Sequence, residues 1–227
     1  MKKIFIVGNW KSNKTVEEAE EWFKQVASSK QQVESNIETV ICPPFTCLPI
    51  FCSLLTINCL LPNFTLGAQD VSPFPDGAYT GEISARMLKD LGVRYVMIGH
   101  SERRKYFKED DQLLANKVKE VLDSGLIPIY CVQGPTTPIP EGVKIILYEP
   151  SGAIGTGIAG SPQEANEIAK TLREISGSDT IILYGGSVSS ENVSSFCQQK
   201  NINGVAVGNA SLDPNKFLEI IKNASNL

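Results

Sequence analysis

No apolar run in this chain of 227 residues approaches the length of a membrane span. The first one, Ile4 to Val7, follows two lysines but breaks at Gly8-Asn9, which is too short for a signal-peptide core or for a transmembrane helix. The net charge of -4 comes from interspersed acids and bases, so no basic stripe indicates nucleic acid or an anionic membrane surface as a partner. We therefore expect a cytoplasmic protein.

Closely spaced cysteines are also missing. No two cysteines form the CxxC pair that is typical of zinc sites and of redox motifs. Scattered cysteines in a reducing compartment are usually small buried residues, so we expect a structural role for all six and predict no metal site. They are Cys42, Cys47, Cys52, Cys59, Cys131 and Cys197.

Short apolar runs recur along the chain without polar alternation, as is typical of parallel strands that are buried on both faces. Amphipathic helical stretches separate the runs, and two of these have clear start signals. Thr15 with Glu18 fits a capping box, and Ser161 precedes a proline, Pro162, at a first helical position. The eight apolar runs are residues 4–7, 40–42, 64–67, 95–98, 127–132, 145–148, 181–184 and 205–207.

Eight strands that alternate with helices predict a single α/β domain over residues 1–227, folded as a (β/α)8 barrel with its chemistry at the carboxyl ends of the strands. An open doubly wound sheet is the alternative, but no GxGxxG motif follows the first strand. The connection after the fifth strand is short and contains three prolines, so we predict that the fifth outer helix is absent. Either the segment 135–140 or a further subunit contact would then cover the gap.

The single histidine, His100, ends the fourth run and can titrate near neutral pH. Asn9 and Lys11 follow the first run, and Glu149 follows the sixth. Because the strand ends of a barrel share one rim, we expect these side chains to face a common pocket, with Glu149 as a candidate general base. Taken singly, Lys11 is equally consistent with a solvated surface lysine, and Glu149 with an ion-paired structural glutamate.

Three glycine-rich segments follow the later strands. Residues 184–187 and 207–210 end the seventh and eighth runs, where such barrels usually bind phosphate through backbone N–H groups and a helix N-terminus. Residues 151–160 contain four glycines and no charged side chain, as suits a lid that closes over a ligand and excludes water. Each glycine pair alone is also consistent with a simple turn.

Taken together, these segments resemble the motifs of the triosephosphate isomerase family, in the family's order and spacing. Residues 67–71 and 79–84 resemble that family as well, so the resemblance covers nearly the whole chain. It implies interconversion of dihydroxyacetone phosphate and D-glyceraldehyde 3-phosphate through an enediolate in glycolysis and gluconeogenesis, with no metal or organic cofactor. The motifs are Asn9-Trp10-Lys11, Gly99-His100-Ser101-Glu102-Arg103-Arg104, Tyr148-Glu149-Pro150 with Ala153-Ile154-Gly155-Thr156-Gly157, and Tyr184-Gly185-Gly186-Ser187-Val188.

The resemblance also implies a role for each catalytic residue. Glu149 would move the proton between C1 and C2, while His100 would act as a neutral electrophile, a pairing for which this family is itself the standard example. Lys11 would offset the charge of the phosphate and of the enediolate, and Asn9 would hydrogen-bond near the reacting oxygens.

Further residues take supporting roles by the same resemblance. Glu102 would be a partner of Lys11, with Ser101 beside it in the His100 motif. Thr80 lies where the family's third loop reaches into a neighbouring subunit, which implies a homodimer or a larger assembly. The phosphate would be held by N–H groups around Gly155, Ser187, Gly208 and Asn209.

Three features depart from the family pattern: the lid hinges, the turn after the eighth run, and the missing fifth helix, next to which Gln133-Gly134 stands where the family usually has Gly-Glu. The far hinge, Ile158-Ala159-Gly160, differs from the usual Lys-Thr-Ala pattern. Ser151-Gly152 stands where the family usually has a bulky apolar residue and tryptophan, so we expect a looser lid that releases some enediolate as methylglyoxal. Asn209 replaces a glycine, and because asparagine tolerates positive φ and keeps its N–H, we expect the phosphate site to persist.

Two other functional classes compete with the isomerase. A phosphate-binding or assembly protein would need no proton shuttle, so the joint presence of Lys11, His100 and Glu149 argues against it. An aldolase that acts through a Schiff base would need a lysine within a strand, and none of the eight runs contains one.

Overall fold

Eight parallel strands close into a barrel in the computed structural model, which describes residues 2–29, 33–57, 64–150 and 159–225. Each strand pairs with the next one along the chain, and the last pairs with the first. The predicted (β/α)8 barrel is therefore confirmed. The strands are β1 (Ile4–Asn9), β2 (Ile37–Cys42), β3 (Phe64–Ala68), β4 (Tyr95–Ile98), β5 (Ile127–Val132), β6 (Ile145–Tyr148), β7 (Ile181–Tyr184) and β8 (Gly204–Val207).

Four strands are longer than the apolar runs that predicted them: β3 and β8 by one residue each, and β1 and β2 by more. β1 continues through Gly8 and Asn9, and β2 begins at Ile37, so that it includes the polar residues Glu38 and Thr39. Glu38 can be buried because the hydroxyl of Tyr95 donates to its carboxylate and because Lys3 pairs with it. Burial raises the pKa of Glu38, but the hydrogen bonds from Lys3 and Tyr95 outweigh this effect and lower it below the usual range.

The side chains of each strand alternate between two apolar layers, because successive Cβ atoms point to opposite faces. On β5, Ile129 and Cys131 fill the barrel interior, while Tyr130 and Val132 face the outer helices. All four are fully buried, which explains why the strands appear in the sequence as continuous apolar runs.

The outer helices begin where the cap signals predicted. The Thr15 hydroxyl accepts from the N–H of Glu18, whose carboxylate accepts from the N–H of Thr15, and the Ser161 hydroxyl accepts from the N–H of Glu164. No helix among the described residues is both long and apolar enough to cross a membrane. The helices are α1 (Val16–Ser28), α2 (Leu48–Ile57), α3 (Ala85–Asp90), α4 (Ser101–Tyr106), α5 (Asp111–Asp123), α6 (Pro162–Ser176), α7 (Val193–Cys197) and α8 (Pro214–Ser225).

The connection between β5 and β6 contains no helix. Residues 133–144 are all described, and they form only turns, bends and extended backbone. Ile139 packs against the outer apolar layer, and Val143 is buried. The outward-facing Val132 and Ile146 are fully buried in the single chain. The prediction of a missing fifth helix is confirmed, and this packing favours the segment itself, rather than another subunit, as the cover of the gap.

Candidate active site

The ends of five strands surround one cavity of about 470 Å³ at the carboxyl end of the barrel. β1 contributes Asn9, and the residues after β4 and β6 contribute a histidine and a carboxylate. The turns after β7 and β8 form the rest of the wall. The structure thus brings together seven of the predicted residues: Asn9, Lys11, His100, Glu149, Ser187, Gly208 and Asn209.

Glu149 is 3% exposed, and both of its carboxylate oxygens have partners. Oε2 accepts a hydrogen bond of 2.9 Å from the backbone N–H of Ser101, and Oε1 lies 3.0 Å from Nε2 of His100. Gly185 packs closely beside it, since a Cβ at that position would lie 3.5 Å from Cγ of Glu149 and 2.9 Å from Cδ1 of Leu147. The carboxylate is therefore held at the cavity wall, and no lysine or arginine among the described residues pairs with it.

The contacts of His100 assign its protons. The residue caps α4, and its Nδ1 accepts a hydrogen bond of 3.2 Å from the backbone N–H of Glu102. A nitrogen that accepts carries no proton, so the neutral ring carries its proton on Nε2, the atom that faces Glu149. The imidazole can therefore donate a hydrogen bond into the cavity while it remains uncharged.

Lys11 lies on the loop after β1 with φ of 52°, in the left-handed region that non-glycine residues seldom adopt. Its backbone N–H donates to Oδ1 of Asn9 over 3.0 Å, and its ammonium pairs with Glu102. The lysine thus presents a cation to the cavity and has the carboxylate partner that the motif suggested. Asn9 is buried, and its Nδ2 is directed to Sδ of Met97 at 3.4 Å.

Two turns complete the wall of the cavity beside these side chains. Ser187 follows β7 with φ of 49°, and Gly208 precedes a short 3-10 helix at Asn209–Leu212. A Cβ at Gly208 would lie 3.7 Å from Cε of Lys11, so this turn is next to the lysine side chain. Asn209 begins the 3-10 helix without a positive φ, so it does not need the left-handed tolerance that we expected of it.

The two tryptophans join the loop of Lys11 and helix α1 to the segment after β8. Trp10 and Trp22 are at most 1% exposed, and both indole N–H groups donate to the backbone carbonyl of Ser211 at 3.1 Å. Their rings pack edge to face, with centroids 5.1 Å apart. The sequence indicated roles for Asn9 and Lys11 but none for Trp10, whose hydrogen bond anchors this loop.

Tyr184 is a further residue whose role the sequence did not reveal, because it was named only as a strand end and as the first residue of the motif Tyr184-Gly185-Gly186-Ser187-Val188, with no role for its side chain. Its hydroxyl accepts a hydrogen bond of 2.8 Å from the backbone N–H of Gly160. It therefore fixes the point where the chain returns from the predicted lid. Of the predicted lid, residues 151–160, positions 151–158 lie outside the described residues, and they include the first hinge and Gly155.

Thr80 does not reach the cavity of its own chain. It is exposed in the loop between β3 and α3, where the rings of Phe74 and Tyr79 stack with centroids 4.4 Å apart. A single chain therefore leaves the predicted interface residue without a place in the site.

Comparison with known proteins agrees with this geometry. The family profile described as Triosephosphate isomerase matches residues 4–142 and 139–224. The two matched stretches meet at residues 139–142, within the connection that lacks a helix.

Curated relatives cover almost the entire chain. The triosephosphate isomerase of Mesomycoplasma hyopneumoniae (strain 7448) is 38% identical over 248 aligned residues, which cover 99% of this chain and 100% of the relative. The triosephosphate isomerase of Fusobacterium nucleatum is 40% identical over 253 aligned residues, which cover 98% of this chain and 99% of the relative. The triosephosphate isomerase of Thermus thermophilus is 37% identical, over 98% of this chain and 99% of its own length. These alignments are longer than 227 residues, so the relatives contain positions without a counterpart here. The chain therefore belongs to the triosephosphate isomerase family, and it is a TIM-barrel enzyme that interconverts dihydroxyacetone phosphate and D-glyceraldehyde 3-phosphate.

Proposed function

We propose that Glu149 is the base of this isomerase and that it acts with His100, Asn9 and Lys11 in the cavity at the barrel mouth. The observation that carries the proposal is the 3.0 Å contact between Oε1 of Glu149 and Nε2 of His100. This contact puts a proton acceptor and a neutral donor side by side on the wall of a cavity that can hold a triose phosphate.

The proton transfers follow from this arrangement. Glu149 exchanges its contact with the Ser101 N–H for the substrate, removes a proton from C1 or C2 and returns it to the neighbouring carbon. A second proton must also move between the oxygens: His100 donates its Nε2 proton to the carbonyl oxygen and takes the hydroxyl proton from the oxygen on the neighbouring carbon. The Nδ2 group of Asn9 hydrogen-bonds to these oxygens and stabilises their developing negative charge. The Lys11 ammonium, which borders the same cavity, stabilises both the phosphate and the enediolate.

The phosphate is bound at the turns after β7 and β8. Backbone N–H groups of Ser187, Gly208 and Asn209 border the cavity, and the last of these residues begins a 3-10 helix. We assign a further N–H to Gly155 of the lid, on the family resemblance alone. Binding energy from this non-reacting group can drive lid closure and so contribute to catalysis.

Isomerisation in D2O tests the proton transfer. Because a carboxylic acid exchanges its proton with solvent, product formed through Glu149 should contain deuterium at the carbon that receives the proton. Turnover of glyceraldehyde 3-phosphate is followed with a coupled dehydrogenase, and the isotope is located by NMR. Turnover without deuterium in the product would indicate direct hydride transfer and would contradict the proposal.

We further propose a homodimer that is built around the loop between β3 and α3. Phe74 and Tyr79 on this loop are 40% and 41% exposed, and Phe107 is 66% exposed. Arg103 joins them into one region, since it pairs with Asp70 at the start of the loop and stacks on Phe107 at 4.7 Å. Exposed apolar side chains of this size are typical of an interface, and Thr80 lies among them.

Replacing Phe74 by glutamate should separate the subunits, because it puts a charge into an apolar interface. We expect the dissociation constant of the dimer to rise roughly 30-fold or more, the effect of losing an interface residue that contributes about 2 kcal/mol. Sedimentation equilibrium measures it. Ile175→Glu, at an exposed apolar residue of α6, is the control that should leave the dimer intact. A wild-type chain that is monomeric at micromolar concentration would contradict the proposal.

A cytoplasmic location and a single domain over residues 1–227 complete the proposed description. Glycolytic chemistry supports the first, and the closure of one barrel by strands from both ends of the chain supports the second. Cell fractionation and a single cooperative unfolding transition would test them.

A further inference from the structure

Two residues of the cavity share an unusual backbone conformation. Lys11 has φ of 52° and Ser187 has φ of 49°, although neither is glycine. Such residues persist only where their surroundings hold them in place, and they occur frequently at active sites. In this protein, a side-chain amide holds the backbone at each of these two residues.

Gln69 holds the first of them. Its side-chain amide donates 2.8 Å to the carbonyl oxygen of Lys11 and 2.9 Å to that of Cys42 at the end of β2. Because the N–H of Lys11 is already bound to Asn9, both peptide groups next to its Cα are fixed by side-chain amides. Gln69 follows β3, so it ties the lysine to two neighbouring strands.

Asn192 holds the second. Its Nδ2 donates 3.2 Å to the carbonyl oxygen of Ser187, and its Oδ1 accepts 2.9 Å from the N–H of Ser189. The amide therefore spans the turn after β7, the turn that carries the proposed phosphate ligand. Although Asn192 precedes α7, its side chain makes no capping bond to that helix, so it is committed to the turn.

We infer that Gln69 and Asn192 are positioning residues of this isomerase, Gln69 acting through Lys11 and Asn192 through Ser187. The inference rests on the proposed roles of Lys11 and Ser187. Neither amide contributes to the charge of the site. Their function is to hold the lysine and the phosphate-binding N–H in conformations that the free backbone disfavours, so that no reorganisation is needed when the substrate binds.

Gln69→Met tests the first arm, because methionine has a similar shape but no donor. Displacement of a catalytic group by about 1 Å can cost a hundredfold in rate, and we expect kcat/KM to fall on the order of 10- to 100-fold. In a Lys11→Met background, the same change should lower kcat/KM by less than about twofold, since groups that act as a unit are not additive. A purely structural role would lower both backgrounds equally.

The matched control is Asn36→Leu. Asn36 also donates its amide to a backbone carbonyl, that of Lys2, but at the opposite end of the barrel. We expect it to lower stability without changing kcat/KM of the folded enzyme. If Gln69→Met does not fold, Gln69→Ala is used instead, both alone and in the Lys11→Met background.

The outcomes separate the inference from the proposed function. Wild-type kcat/KM in Lys11→Met would overturn the role of Lys11 itself. A slow Lys11→Met enzyme beside a fully active Gln69→Met enzyme, or additive losses in the double variant, would overturn only the positioning role.

Asn192→Leu tests the second arm through anion binding. The probe is inorganic phosphate as a competitive inhibitor, since it needs the turn but not the proton shuttle. We expect its inhibition constant to rise about tenfold, together with KM, while Asn36→Leu leaves both unchanged. An unaltered inhibition constant in folded Asn192→Leu would overturn this arm.

Discussion

Replacing Glu149 by glutamine should lower kcat by a factor of about 10² to 10⁴, the contribution usually made by a positioned general base. Glutamine has the same shape, so it can still accept the hydrogen bond of 2.9 Å from the Ser101 N–H, but it cannot take a proton from carbon. The loss should fall on kcat rather than on KM, because the phosphate turns are untouched. Steady-state kinetics in both directions provide the measurement.

Two further variants define this result. Glu149→Asp keeps the carboxylate but withdraws it from His100 by one methylene, so we expect intermediate activity. Glu219→Gln, at an exposed glutamate on the outer wall of the same cavity, should stay near the wild type. If Glu149→Gln retained more than a tenth of the wild-type kcat, another group would have to be the base.

The largest expected effect on stability comes from Lys117. Its ammonium is buried and lies 2.6 Å from both Oδ1 of Asp70 and Oε1 of Glu109. Lys117→Met would leave two buried carboxylates close together, and among the described residues only Arg103 would pair with them. Removing one partner of a buried ion pair costs about 3–5 kcal/mol, so we expect a decrease of that size in the free energy of unfolding.

The same helix offers the control. Lys119, also on α5, pairs with Asp123, but both side chains are largely exposed. Lys119→Met should therefore change stability by less than about 1 kcal/mol. Urea denaturation of both variants measures the difference, and equal losses would show that the buried cluster is not a special contributor.

Asp70 makes this cluster sensitive to pH. Burial raises its pKa, against the opposing effect of Lys117. A carboxyl group whose folded pKa is raised stabilises the fold below its unfolded pKa, and this contribution is lost as pH rises through the folded pKa. Ionisation of Asp70 in the folded protein therefore costs free energy, and the neighbouring cations reduce this cost.

The sequence predicted those features that depend on the chain's local pattern. Strands buried on both faces produce continuous apolar runs, and β4, β5, β6 and β7 begin and end where their runs do. The start of β2 was missed because Glu38 is polar. What permits its burial is Tyr95, which is distant in the sequence, and no local pattern announces that contact.

The site divides in the same way. Residues that follow strands could be predicted to meet, because barrel topology puts all carboxyl ends on one rim. Gln69 and Asn192 could not be found in this way, since their partners are backbone carbonyls whose conformation only the fold determines. Likewise, the prolines of the β5–β6 connection predicted a missing helix, but not that Ile139 would pack over the gap.

The shared carbonyl of Ser211 has a practical consequence. The chain contains only two tryptophans, and both donate their indole N–H to this one acceptor, directly behind the phosphate turn. Tryptophan fluorescence, excited at wavelengths that the six tyrosines do not absorb, therefore originates from one small volume of the molecule. Any change in emission on adding a ligand reports on the barrel mouth itself, so this isomerase contains its own optical probe and needs no label.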